Sequence, residues 1–129
     1  MKYRALVFWI GAGLAILTVP AVAHHSFDAE YDSNKTATLT GYVTKLDWVN
    51  PHAFVYINSK DDGGATRSYQ IEMGPPYALT RGGWKRDSVK IGDKIVVENA
   101  AMAKDGTNRA GSMPSTSMLL SSGEKLVMR

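Results

Sequence analysis

The sequence predicts an all-β domain: a small closed barrel of five to six strands with one short helix after the third. Three observations carry this. Runs rich in β-branched and aromatic residues recur from Thr36 onward, each bounded by clusters of Gly, Pro, Asn, Asp or Ser. The first run is long and its alternation changes phase: Leu39 and Val43 share one face, while Leu46 and Trp48 fall on the other. A strand that changes phase is bulged or bent, as one serving two sides of a barrel must be, and Gly41 is a low-cost place for curvature. Finally, 129 residues without cysteine and a hydrophobic fraction of 44% fit one globular domain. That composition excludes a disulfide framework, a cysteine-ligated zinc site and an iron–sulfur cluster.

The elements follow in order. Met1–Arg4 carries Lys2 and Arg4, Ala5–Val19 is uncharged, and Pro20 precedes Ala21-Val22-Ala23. A basic start, a short apolar run and an A-x-A site make residues 1–23 a signal peptide, with an N-terminal signal helix cleaved after Ala23. The alternative is a retained anchor, but the run is short of the roughly 20 residues a membrane span needs. Cleavage places the protein in the periplasm or beyond, with the membrane met only in transit. It also removes Lys2 and Arg4, leaving 13 basic against 12 acidic residues. The basic excess therefore belongs largely to the leader and is no nucleic-acid footprint.

Residues 24–35 are polar and lack apolar periodicity, so they read as an extended arm with Phe27 and Tyr31 as anchors. The barrel domain spans 36–129. Its first strand runs Thr36–Val49 and ends at Asn50-Pro51, a turn signal. Ala53–Ser59 is the second strand, apolar on both faces, and Lys60–Gly64 is its hairpin loop. Arg67–Met73 is the third, with Tyr69, Ile71 and Met73 alternating against Ser68, Gln70 and Glu72. Pro76 can open a helical turn and Gly82 can end it, so Tyr77–Arg81 is the short helix. Lys94–Glu98, or slightly beyond, is the fourth strand, and Ala103–Asn108 is a turn-rich connection. Ser112–Leu120 is the fifth, and Lys125–Met128 a short terminal strand.

Three strands, a short helix and two or three more strands is the order of the OB-fold, a five-stranded Greek-key barrel. A plain β-sandwich needs about seven strands. Several segments also resemble a family of uncharacterised secreted proteobacterial proteins, DUF6152. They are H-H-S-F-D at 24–28, V-N-P-H-A at 49–53, R-G-G-W-K-R-D-S at 81–88, I-G-D-K-I at 91–95 and K-D-G-T-N-R-A-G at 104–111. The resemblance implies export and a small β-barrel. It brings no activity, ligand or catalytic residue.

The histidines are the sharpest chemical clue: the chain has three, His24, His25 and His52. With cleavage after Ala23, His24 offers its α-amino and ring nitrogens to one metal. A second imidazole, from His52 or His25, completes a three-nitrogen set that suits copper, whose tetragonal preference and high affinity favour such ligands. The alternative is that His-His is only a polar cleavage junction and that His52 pins its turn. The remaining methionines are irregularly spaced, and Met73 alternates as a core residue.

A second candidate region is a ligand or partner face. Trp48, Phe54 and Tyr56 lie along the first two strands, and Arg81, Lys85 and Arg86 flank Trp84. These cations could meet an anionic ligand, or be a solvated face diluted by Asp87 and Asp93. No nucleophile elbow, zinc-protease motif or phosphate loop occurs, so binding is expected rather than catalysis. The reading is an exported binding protein with copper as its possible metal. The alternative is a structural module that docks onto another cell-envelope protein. A copper oxidase or oxygenase at the same site is a third reading.

Overall fold

The computed structural model describes the backbone of residues 22–129 and side chains from Ser26 onward. Residues 1–21 of the expected signal peptide, and the side chains of residues 22–25, His24 and His25 among them, lie outside the described residues. A helix α1 (Val22–Glu30) leads into strands β1 (Tyr31–Asp47), β2 (Phe54–Lys60) and β3 (Thr66–Glu72). Helix α2 (Pro76–Arg81) follows, then β4 (Lys94–Ala103), β5 (Arg109–Gly111), β6 (Ser117–Leu119) and β7 (Lys125–Val127).

The seven strands form one sheet in the order β1-β2-β3-β5-β4-β6-β7. An additional β1–β4 pairing closes five of them into a barrel-like ring. β1 makes this possible because it serves two partners. Tyr31–Tyr42 pairs with β4, and Tyr42–Asp47 pairs with β2. A register shift between Val43 and Lys45 produces the expected change of phase. Gly41 sits where β1 crosses β2, and a Cβ there would collide with the Asn58 carbonyl oxygen. The short helix falls between β3 and β4 as the sequence predicts, with Pro76 in its first turn.

Three expectations are corrected. Residues 24–30 are helical rather than an extended arm, and β1 starts at Tyr31 instead of Thr36. The ring is closed by Arg109–Gly111, which pairs in parallel with β3 and antiparallel with β4. Three residues beside a turn are too few to show a period. The run expected as the fifth strand is ordered as a strand only at Ser117–Leu119, where it pairs with β4 outside the ring.

The core fills the ring. Val43, Val55, Ile57, Ile71, Ile95, Val97 and Met118 project into it, and α2 adds Leu79. Trp84 is 1% exposed, and its Nε1 donates to the Val127 carbonyl at 2.7 Å. A buried indole with a satisfied N–H is a packing element. Met73, Met118 and Met128 are equally buried.

Candidate functional site

The site is built at one end of the ring, where the β1–β2 turn meets the end of β3. Two backbone bonds hold the turn against β3: Ala53 N–H donates to the Gly74 carbonyl at 3.1 Å, and Met73 N–H to the Ala53 carbonyl at 2.8 Å. Strand register sets Phe54 opposite Glu72 and Tyr56 opposite Gln70. His52 lies just before β2 and keeps the parity of Phe54 and Tyr56, so it reaches the same face as Glu72.

His52 Nδ1 lies 2.7 Å from Glu72 Oε1. The Tyr31 hydroxyl donates to the other carboxylate oxygen, Oε2, at 2.8 Å. Glu72 is thus held from both sides, with 18% of its side chain exposed against 36% for His52. Tyr31 is 3% exposed. Burial, then the bond and the charge of Glu72, push its phenol well above the ordinary value of 10.0. The Glu72 main chain is pinned as well: its carbonyl accepts from both Ser112 N–H at 3.0 Å and the Ser112 hydroxyl at 2.6 Å.

Helix α1 forms the other wall. The Phe27 ring packs on Tyr31 with centroids 5.0 Å apart, and the Arg129 guanidinium lies over Phe27 at 4.9 Å. Both rings rest on Gly111, where a Cβ would come within 2.6 Å of Phe27 and 2.7 Å of Tyr31. The close approach of α1 to β5 therefore needs a residue without a side chain. Lys104 ties the helix end, its N–H donating to the Glu30 carbonyl at 2.9 Å and its ammonium to that of Asp28. Arg109 pairs with Glu30 at 3.3 Å.

Between these walls opens a groove of about 620 Å³, lined by Ser26, Phe27, Glu30 and Tyr31 on one side and by Asn50, Pro51 and His52 on the other. Glu72, Pro75 and the exposed Tyr77 complete it. The groove is mostly apolar, with an imidazole and a carboxylate converging on it, as small-molecule and metal sites commonly are. Among the described residues, no group of three or more His, Asp or Glu is arranged to hold a metal.

The expected site residues divide. His52 is in the groove, and Phe54 and Tyr56 continue its face along β2. Both are half-buried, and Tyr56 accepts a hydrogen bond from Gln70 Nε2 at 3.2 Å. Trp48 is half-buried against the core. Trp84 is corrected: it is buried and presents nothing to a partner, because its ring fills the interior. Arg81, Lys85 and Arg86 are exposed without it, and Arg81 stacks over Tyr77 at 6.0 Å, beside the groove rim. The sequence reading missed Glu72 as a site residue. The hairpin register carried the signal, since pairing across the Lys60–Gly64 loop brings position 52 to the end of β3.

A family model described as a family of unknown function (DUF6152) matches residues 12–113. The chain belongs to that family, which the match establishes over most of its length. No curated protein and no solved structure matches it.

Proposed function

We propose that this chain is an exported, periplasmic OB-like binding module that takes up copper at the α1 groove, through His24 and His52. The observation that carries the reading is the 2.7 Å pairing of His52 Nδ1 with Glu72 in a groove walled by Ser26 and Phe27. An imidazole whose Nδ1 is held by a carboxylate has Nε2 left for a ligand, as metal-binding histidines commonly do. Nε2 of His52 meets no hydrogen-bond partner among the described residues. α1 supplies the other half. Position 24 lies one helical turn before Phe27, about 4.5 Å along the axis and on the same side of the helix. With cleavage after Ala23, an amine and an imidazole on that residue would join His52 in a three-nitrogen set suited to Cu(II). His25 is the alternative second imidazole.

The test is intact-mass spectrometry of the protein recovered from the periplasm, with and without Cu(II). A mass starting at His24, with one copper bound and lost in both His24→Ala and His52→Ala, is the expected result. A different start, or copper kept equally by both variants, removes the site and leaves a module that docks onto an envelope protein.

A further inference from the structure

A ligating His52 must keep one ring nitrogen free of a proton, and what fixes that choice lies deeper in the fold than Glu72 alone. A neutral imidazole carries its proton on either ring nitrogen, and the neighbours choose. Here a carboxylate oxygen lies 2.7 Å from Nδ1. Two lone pairs at that separation repel, so the proton must sit between Nδ1 and Glu72. Glu72 is itself oriented. Its second oxygen accepts from the Tyr31 hydroxyl at 2.8 Å, and its carbonyl is fastened to Ser112. Tyr31 is locked in turn by Phe27 on its ring and by Gly111 beneath both. The chain of contacts runs from the packed interior to a half-exposed imidazole.

We infer that Glu72 and Tyr31 are positioning residues that hold the proton of His52 on Nδ1 and present Nε2 to the groove as the ligating nitrogen. The inference rests on the metal-binding reading for its purpose, but not for its test. A stiff, correctly protonated imidazole binds a cation without first reorganising. Loss of such a partner ordinarily costs a metal site about 10- to 100-fold in affinity.

The experiment is nitrogen-15 NMR of histidine-labelled full-length mature protein, without metal, above the pH at which imidazole protonates. The His52 resonances are assigned by their loss in His52→Ala. Wild type is expected to show Nδ1 protonated and Nε2 bare. Glu72→Ala is expected to mix the two tautomers. Glu72→Gln, whose amide oxygen still accepts from Nδ1, is expected to restore the wild-type pattern. Copper affinity follows in the same order, falling about 10- to 100-fold in Glu72→Ala and less in Tyr31→Phe. A wild-type His52 protonated on Nε2, or a tautomer unmoved in folded Glu72→Ala, overturns the inference. Should Glu72→Ala fail to fold, the wild-type tautomer alone decides. A protein that holds the Nδ1 tautomer yet takes up no Cu(II) keeps the positioning pair and discards copper, so the two failures are distinct.

Discussion

Two segments carry the sequence motifs that look most chemical, W-V-N-P-H around His52 and R-G-G-W-K-R around Trp84. The fold treats them in opposite ways. Trp84 goes inside: 1% exposed, its N–H spent on the Val127 carbonyl, its ring part of the core that joins α2 to the last strand. His52 stays at the rim, half-exposed, with one ring nitrogen against a carboxylate and the other unused by the described residues. The difference lies in where each polar atom finds its partner. A satisfied indole in the interior is a packing device. An imidazole paired with a mostly buried carboxylate beside a groove is the arrangement a ligand site would use.

That contrast can be broken from the Trp84 side first. Trp84→Ala should cost about 3–5 kcal/mol by emptying the core, read as a lower urea or thermal midpoint. It should leave Cu(II) stoichiometry unchanged in whatever fraction remains folded. A Trp84→Ala protein of wild-type stability would return the indole to the surface. Gly111→Ala comes next. A methyl there meets two rings at 2.6 and 2.7 Å, so α1 or the rings must shift, at about 1–3 kcal/mol. The groove should suffer with it, weakening copper uptake, whereas Trp84→Ala should not.

Tyr31→Phe keeps the ring and removes the bond to Glu72, so about 1–2 kcal/mol should be lost near neutral pH. It also has a sign at high pH. The phenol of Tyr31 is raised in the folded state, so the unfolded chain releases that proton first. Its contribution is complete below about pH 10 and declines as pH rises through and above that value. Denaturation midpoints across pH 9–11 should fall more steeply for wild type than for Tyr31→Phe. Parallel curves would deny Tyr31 its buried bond. The smallest effect is expected from Arg81, Lys85 and Arg86 replaced together by Ala. These are exposed, and stability should move within about 0.5 kcal/mol per site. Copper uptake should be unaffected.

Much of the barrel was legible because it rests on local signals. The phase change at Leu39–Trp48 announced the bent β1, and Pro76 with Gly82 bracketed α2. The parallel closure by Arg109–Gly111 was not legible. Three residues cannot display a period, and their pairing partner Gln70–Glu72 is distant in sequence. The same limit hid half the site. His52 stands out as a rare residue after a turn, and Phe27 and Tyr31 read as anchors. Glu72 looks like any outward polar residue of an alternating strand. Only the hairpin register and the approach of Tyr31 from β1 bring it between the tyrosine and the histidine. α1 does not show in the sequence because, among its described side chains, Phe27 alone is partly buried, too little for helical periodicity to emerge.

The most direct test compares thermal unfolding of wild type, His52→Ala and Trp84→Phe, each with and without Cu(II). A ligand that binds only the folded state stabilises it by about 2.7 kcal/mol at one hundred times its dissociation constant. The account predicts that copper raises the midpoint of wild type and of Trp84→Phe by the same amount, although Trp84→Phe starts lower. His52→Ala should start near wild type and gain nothing. A copper-induced shift that survives in His52→Ala, or disappears in Trp84→Phe, would contradict the assignment of one segment to the site and the other to the core.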